Sequence, residues 1–113
     1  MTKVRKEISR FIMKFGLKES NIEKINQIFV KNNKIEEVLL YGSRAIGSYR
    51  EGSDIDLTIK GNIEFKDLQR IISELDNLLL PYKFDISIFK DINNNDLIDH
   101  IKKIGIIFYK KEK

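Results

Sequence analysis

The chain has 113 residues, no cysteine and a formal net charge of +4. This length suits one hydrophobic core, so we expect a single domain over residues 1–113. The absence of cysteine excludes disulfides and thiolate metal sites. No apolar run reaches the roughly 18 residues of a membrane span. These features are typical of a soluble, cytoplasmic protein that does not bind membranes.

Positive charge is concentrated in the first third of the chain. Residues 1–34 contain nine Lys and Arg against three Glu. Such a stretch could face nucleic acid or nucleotide phosphates, or it could be a solvated, lysine-rich surface. We favour the solvated surface because no alternation of arginine with aromatic residues accompanies the charge. Direct binding of nucleic acid is therefore not expected.

The hydrophobic pattern predicts two helices and then a strand in the first part of the chain. Apolar residues recur at helical spacing up to Gly16, which predicts an extra N-terminal helix over residues 1–14. Ser20 and Glu23 have the spacing of a capping box, and they predict a second helix that ends near residue 32. The near-continuous apolar run of Ile35–Tyr41 predicts a strand buried on both faces.

The second part of the chain continues the alternation. Strands are predicted over residues 54–60 and 83–89, with a long amphipathic helix from residue 65 to 79 that Pro81 closes. A last helix stripe ends at Gly105, and residues 106–109 predict a short edge strand. The order of elements predicts an α/β or α+β domain with one sheet covered by helices.

The stretch between the first two strands carries the chemistry. Gly42 and Ser43 end one apolar run, and ten residues later Asp54 and Asp56 open the next. Residues i and i+2 of a strand point the same way, with Cα atoms about 6.5–7 Å apart. Two carboxylates on one side would repel each other by roughly 4 kcal/mol at 4 Å and an effective dielectric of 20. A compensating cation is therefore expected.

A third carboxylate fits the same site. Asp85 alternates with apolar neighbours on the third strand and reaches the pair if strands two and three are adjacent. Oxygen ligands select a hard ion, most simply Mg²⁺, and three carboxylates suit two ions with a bound nucleotide. We therefore take Asp54, Asp56 and Asp85 as the candidate metal ligands and catalytic residues.

The Gly-Ser turn complements these carboxylates. Gly42 allows close approach of the backbone to a ligand, and Ser43 with the amides after it could hold terminal phosphates. Arg44 could add a phosphate contact. The candidate nucleotide-binding residues are Gly42, Ser43, Arg44 and Ser53. Together with the metal ligands they indicate phosphoryl or nucleotidyl transfer from ATP or another nucleoside triphosphate.

Each part of the motif has a structural interpretation, and other residues are weaker candidates. A Gly-Ser pair alone is a common turn, and Asp-x-Asp alone often starts an exposed strand; the combination is more specific.

His100 could act as a general base, although a packing or surface role is favoured. Tyr41 and Tyr49 could stack on a base, but we expect Tyr41 in the core and Tyr49 facing solvent.

At these residues the chain resembles the DNA polymerase β-like nucleotidyltransferases, whose signature is Gly-Ser, ten residues and Asp-x-Asp. It is most similar to their one-domain members, the minimal nucleotidyltransferases (MNT). The matching segments are residues 15–17, 40–45, 52–57, 80–85 and 100–101. The resemblance implies a mixed sheet flanked by helices.

The resemblance also implies roles and a partner. Asp54 and Asp56 would bind Mg²⁺, Asp85 would be a metal ligand or the base for the attacking hydroxyl, and Gly42 and Ser43 would contact the triphosphate. Such proteins pair with an all-helical HEPN-domain toxin encoded by the adjacent gene. The MNT protein is the antitoxin, and it transfers AMP from ATP to a tyrosine hydroxyl of the toxin, as in a type VII toxin–antitoxin system.

Two other functions remain open at the level of the sequence. The chain could transfer a nucleotide to a small molecule or to an RNA 3′ end, although 113 residues leave little room for an acceptor-binding domain. It could also be a non-catalytic module that neutralises a partner by occlusion. Pure binding would not require three carboxylates, which favours the transferase.

Overall fold

The computed structural model describes residues 13–112, which form a small mixed sheet and its covering helices. In chain order the elements are β1 (Met13–Lys14), β2 (Leu17–Lys18), α1 (Glu19–Lys31), β3 (Ile35–Tyr41), α2 (Ser43–Ile46), β4 (Ile55–Gly61), α3 (Phe65–Asp76), β5 (Phe84–Ile88), α4 (Asn95–Ile104) and β6 (Ile106–Lys110). A 3-10 turn (Phe89–Asp91) leads from β5 towards α4.

The main sheet has the strand order β5-β4-β3-β6. Strand β3 pairs antiparallel with both β4 and β6, whereas β4 and β5 are parallel. A parallel pair needs a crossover connection, and α3 lies in the segment that joins β4 to β5. Strands β1 and β2 form a separate two-stranded hairpin. The predicted α/β class, with one mixed sheet flanked by helices, is confirmed.

The two faces of the sheet are buried to different extents. Alternate residues of the central strands face a large core shared with α1 and α3, and the fully buried apolar residues of β4 on this face are Ile55, Leu57 and Ile59. The opposite face has only a small core, in which Leu39 and Tyr41 of β3 pack against Ile101 of α4. Helix α4 thus packs over β3, and on this same face β4 and β5 carry polar side chains.

The N-terminal prediction fails where the structure describes the chain. Residues 13–18 form a hairpin whose turn residue Phe15 has φ 59° and is followed by Gly16 with φ 74°. This left-handed pair reverses the chain, and Met13 and Lys14 are in a strand paired with residues 17–18 instead of in a helix. Residues 1–12, where the rest of that predicted helix falls, lie outside the described residues.

Two helix ends also differ from prediction. Helix α1 already begins at Glu19, so Ser20 lies inside it and makes no capping box. A capping box instead begins α3, where Glu64 and Asp67 each accept the other's backbone N–H. Helix α3 stops at Asp76 rather than near residue 79, because Leu79 adopts φ 55° and turns the chain before Pro81. In residues 13–112 no helix is both long enough and apolar enough to cross a membrane.

Candidate active site

The Gly-Ser turn lies where β3 leaves the sheet. Gly42 has φ 73° and ψ −156°, a conformation essentially restricted to glycine. A Cβ at this position would overlap Oδ2 of Asp56, so the backbone of the turn lies directly against that carboxylate. Ser43 then begins the four-residue helix α2, with Ala45 and Ile46 donating N–H groups back to the Gly42 carbonyl at 3.1 and 3.3 Å.

Strand register brings the predicted carboxylates together. Asp56 of β4 is the direct partner of Tyr41 on β3 and of Asp85 on β5, so three side chains form one row across the sheet. Asp54 precedes β4 by one residue and is close enough to influence the ionisation of Asp56. Asp56 is half-buried, whereas Asp54 and Asp85 are exposed. The row therefore opens to solvent on the side of β5, which is an edge strand.

The electrostatics of this row are unfavourable to negative charge. Burial, then the charge of Asp85 and then that of Asp54, raise the pKa of Asp56, and the charges of Arg44 and His100 only partly oppose this rise. The pKa of Tyr41 is also raised, mainly by burial, and Asp85 and Asp56 add to that rise. Tyr41 therefore remains a neutral phenol near pH 7.

The donor set fits a hard divalent cation. Among the residues described, 13–112, no three or more acidic, histidine or cysteine side chains are placed to hold a metal ion together, so Asp54, Asp56 and Asp85 do not form one three-carboxylate ligand cluster. Mg²⁺, however, usually binds one or two protein carboxylates and completes its shell with waters and substrate phosphates. Asp54 and Asp56, beside a turn whose backbone reaches the Asp56 carboxylate, suit this partial coordination.

Arg44 and Ser53 are held in contacts within the chain. The Arg44 side chain is only 2% exposed, and its guanidinium donates to the carbonyl of Ser53 from Nε at 3.1 Å and from Nη2 at 2.8 Å. Its Nη1 donates to the Phe15 carbonyl at 2.9 Å. The Ser53 hydroxyl accepts the Arg50 N–H at 2.8 Å. Their predicted contacts with a nucleotide remain predictions, and both residues fix the loop between the turn and Asp54.

His100 is part of the site, which the sequence reasoning did not favour. Its Nε2 accepts the backbone N–H of Gly42 at 3.4 Å, and its ring packs edge-on against Tyr41, with centroids 6.3 Å apart. Helix α4 therefore supports the Gly-Ser turn from behind. The sequence favoured a packing or surface role for His100, but nothing in the pattern identified Gly42 as its partner. Tyr41 is buried, as predicted, and Tyr49 is 37% exposed.

Comparisons with known proteins agree with this geometry. A sequence model of the family described as "Polymerase beta, Nucleotidyltransferase" matches residues 23–113. The protein named "Putative protein adenylyltransferase MJ0141", from Methanocaldococcus jannaschii, is 33% identical over 81 residues, which cover 68% of this chain and 82% of that protein.

Solved structures share the fold. A crystal structure described as a toxin-antitoxin with AMP-PNP matches with a TM-score of 0.66 and 19% identity, over 81% of this chain and 75% of that chain. A complex of the tri-AMPylated Shewanella oneidensis HEPN toxin with its MNT antitoxin matches with a TM-score of 0.61 and 16% identity, over 82% and 72% of the two chains. At these identities the likeness concerns the fold alone.

Proposed function

The chain belongs to the polymerase β nucleotidyltransferase family, and on this premise we propose that it transfers AMP from ATP to a tyrosine hydroxyl of a helical HEPN-domain partner encoded by an adjacent gene. In this role it would be the antitoxin of a toxin–antitoxin pair. The observation that carries the proposal is the strand register that sets Asp85 beside Asp56, directly next to the Gly42 turn.

The turn and the first two aspartates form the donor half of the site. Asp54 and Asp56 would hold Mg²⁺, which when bound neutralises the triphosphate and polarises the phosphorus that is attacked. Gly42 brings the backbone of the turn up to the Asp56 carboxylate without a side chain between them. Ser43, half-buried at the start of α2, would contact the phosphates. Burial, and then repulsion from Asp85 and Asp54, raise the pKa of Asp56; this supports the assignment, because a bound cation would relieve the repulsive part of that rise.

Asp85 lies on the acceptor side. It is exposed on the edge strand β5 and adjoins Asp56, so a hydroxyl from another chain can approach it from solvent. In the proposed step the acceptor oxygen attacks the α-phosphorus, the bond from that phosphorus to the β-phosphate bridging oxygen breaks, and pyrophosphate leaves. The proton of the hydroxyl passes to Asp85 or, if Asp85 binds a metal, to water.

The choice of a protein acceptor is supported by the relatives. The M. jannaschii protein is named as a protein adenylyltransferase, and the structurally similar MNT antitoxin is in complex with a tri-AMPylated HEPN toxin. Tyrosine is the acceptor that we propose on the resemblance to the MNT proteins. The exposed position of Asp85 is consistent with an acceptor supplied by a second chain.

The test is a transfer assay with two differently labelled donors. The protein is incubated with Mg²⁺, the helical product of the neighbouring gene and ATP labelled at either the α- or the γ-phosphate. Adenylyl transfer places the α label, and never the γ label, on a tyrosine of the partner. Asp56→Asn should reduce the transfer at least a hundredfold, on the order of the loss of a principal catalytic group. Asp99→Asn, at an exposed position of α4, is the matched control and should keep full activity.

Other results would overturn specific parts of the proposal. Label from the γ-phosphate on the partner would replace adenylyl transfer by phosphoryl transfer. Label on an added RNA 3′ end instead of the partner would change the acceptor class. If Asp56→Asn neutralised the partner in cells as well as the wild-type chain did, with no label transferred by either, the function would be occlusion.

A further inference from the structure

The structure gives Arg44 a role different from a phosphate contact. We propose that Arg44 is a positioning residue that holds the loop before β4, so that Asp54 faces the metal position beside Asp56. The inference rests on the proposed metal-dependent transfer, because it concerns how one of the two proposed metal ligands is placed.

Arg44 makes a bidentate contact with one backbone carbonyl. Nε and Nη2 of Arg44 both donate to the oxygen of Ser53, at 3.1 and 2.8 Å, and Ser53 is joined directly to Asp54. On the other side of Asp54, the N–H of Ile55 donates to the carbonyl of Lys83 at 2.9 Å and starts the pairing of β4 with β5. Asp54 is therefore bracketed by two fixed peptide groups, although its own side chain is exposed.

Arg44 is itself held from several directions. Nη1 donates to the carbonyl of Phe15, which ties the β1–β2 hairpin to the same loop. The guanidinium carbon lies over the ring of Tyr49, 5.4 Å from its centroid, and over the ring of Tyr82, 5.1 Å from its centroid. With 2% exposure, the group is desolvated, and interactions of a cation with aromatic rings are strongest in that situation.

The β1–β2 hairpin packs closely against Tyr49 and Arg44 at Gly16. A Cβ on Gly16 would overlap the Tyr49 ring and would lie 2.8 Å from Nη1 of Arg44. The loop is also closed on itself, since Ser53 donates its N–H to the Arg50 carbonyl at 3.0 Å and accepts the Arg50 N–H on its hydroxyl. Three segments distant in sequence, the hairpin, the loop and the entry to β5, thus meet on one guanidinium.

These contacts favour a positioning role for Arg44 over a phosphate contact. Three of its five N–H donors already serve protein carbonyls, and two aromatic rings lie within cation–π distance of the group. A lysine keeps the charge but lacks the planar guanidinium that donates two N–H groups to the Ser53 oxygen and interacts with the two aromatic rings. Arg44→Lys therefore separates charge near the phosphates from positioning of Asp54.

The experiment measures metal binding and nucleotide binding separately. Mn²⁺ is titrated into the protein in the presence of AMP-PNP and followed by water-proton relaxation, and AMP-PNP is titrated in EDTA by calorimetry. We expect Arg44→Lys to weaken Mn²⁺ binding roughly tenfold, the usual effect of losing a group that orients a metal ligand. Affinity for AMP-PNP in EDTA should stay within twofold of wild type. Arg50→Lys, an exposed arginine of the same loop, is the matched control and should change neither value.

Backbone exchange adds a readout that needs neither metal nor acceptor. Amide hydrogens of residues 47–55 should exchange faster in Arg44→Lys than in Arg50→Lys, at a temperature where both variants are folded. If Arg44→Lys does not fold, Tyr49→Leu removes one of the two aromatic rings beside the guanidinium. This variant should also weaken Mn²⁺ binding, by a smaller factor.

Opposite results would overturn the inference. A loss of AMP-PNP affinity in EDTA with unchanged Mn²⁺ affinity would make Arg44 a phosphate contact. Unchanged exchange of residues 47–55, or the absence of saturable Mn²⁺ binding in the wild-type chain, would also refute it. None of these measurements uses an acceptor, so a failure to find transfer to tyrosine would not affect the decision about Arg44.

Discussion

The close approach of Gly42 to Asp56 makes a sharp prediction. In Gly42→Ala the new methyl group would overlap Oδ2 of Asp56, and the backbone would have to keep φ 73° and ψ −156°. Two separate penalties arise, one from the backbone and one from the carboxylate. Gly47 provides a control, because it also has a positive φ, 85°, but a Cβ there would meet no atom within 4 Å.

The magnitudes differ enough to be measured. Holding an alanine in the conformation of Gly42 costs about 1–3 kcal/mol, whereas the left-handed conformation of Gly47 costs about 1–2 kcal/mol. Displacing Asp56 adds about 1–3 kcal/mol, the usual range for an overpacked site. We therefore expect Gly42→Ala to lower the free energy of unfolding by about 2–6 kcal/mol and Gly47→Ala by about 1–2 kcal/mol.

A double-mutant cycle separates the two penalties. Equilibrium urea unfolding is measured for the wild type, Gly42→Ala, Asp56→Ala and the double variant. Asp56→Ala removes the carboxylate that the methyl group would meet. In the Asp56→Ala variant, Gly42→Ala should therefore lower the free energy of unfolding only by the penalty for the backbone conformation. The expected coupling free energy is about 1–3 kcal/mol. A coupling of zero, or a loss in Gly42→Ala no larger than that in Gly47→Ala, would refute the argument that contact with Asp56 requires glycine.

Three further predictions follow from the same structure. Because burial and then Asp85 and Asp54 raise the pKa of Asp56 above its unfolded value, the contribution of Asp56 to stability should fall as the pH rises from about 4 through its folded pKa; Asp56→Asn should therefore gain stability relative to the wild type at pH 7 and not at pH 3.5 in urea unfolding. His100→Phe keeps a ring beside Tyr41 but removes the acceptor of the Gly42 N–H, a hydrogen bond worth about 1 kcal/mol. The variant should slow transfer of the α label about fivefold; an unchanged rate would show that the Gly-Ser turn keeps its conformation without this hydrogen bond. Leu79→Gly should raise stability by about 0.5–1 kcal/mol, because Leu79 is 88% exposed and has φ 55°; a lower urea midpoint would contradict this.

The sequence predicted best where one physical signal dominates. Strand β3 has the predicted bounds because its apolar run is buried on both faces, and Gly42 then breaks the strand. Alternation predicted which side of β4 carries Asp56, and register places Asp85 beside it. Helix ends were less predictable, since α3 stops at Asp76 although the apolar spacing continues to Leu79. The left-handed conformation that ends it leaves no trace in hydrophobic periodicity.

Contacts between distant segments could not be predicted from one sequence. An arginine next to a Gly-Ser pair is as compatible with a phosphate as with a carbonyl, and only the fold shows that Phe15 and Ser53 lie within reach of Arg44. The same holds for His100, whose acceptor role depends on where α4 crosses the end of β3. Residue type limits which groups such a side chain can bind, whereas the fold determines which of these groups lies within reach.

The arrangement of charges explains why the site depends on a cation. Pairing in register fixes the backbones of Asp56 and Asp85 as neighbours, and the Gly42 turn lies directly against the Asp56 carboxylate. The charge of Arg44 lowers the pKa of Asp56, but burial and the charges of Asp85 and Asp54 outweigh it, and three N–H groups of Arg44 donate to carbonyls and not to the carboxylates. The fold therefore holds repelling carboxylates in place instead of letting them separate. Mg²⁺ with a triphosphate would remove that repulsion, and under the proposed function this is the reason that metal, nucleotide and the Gly-Ser turn bind as one unit.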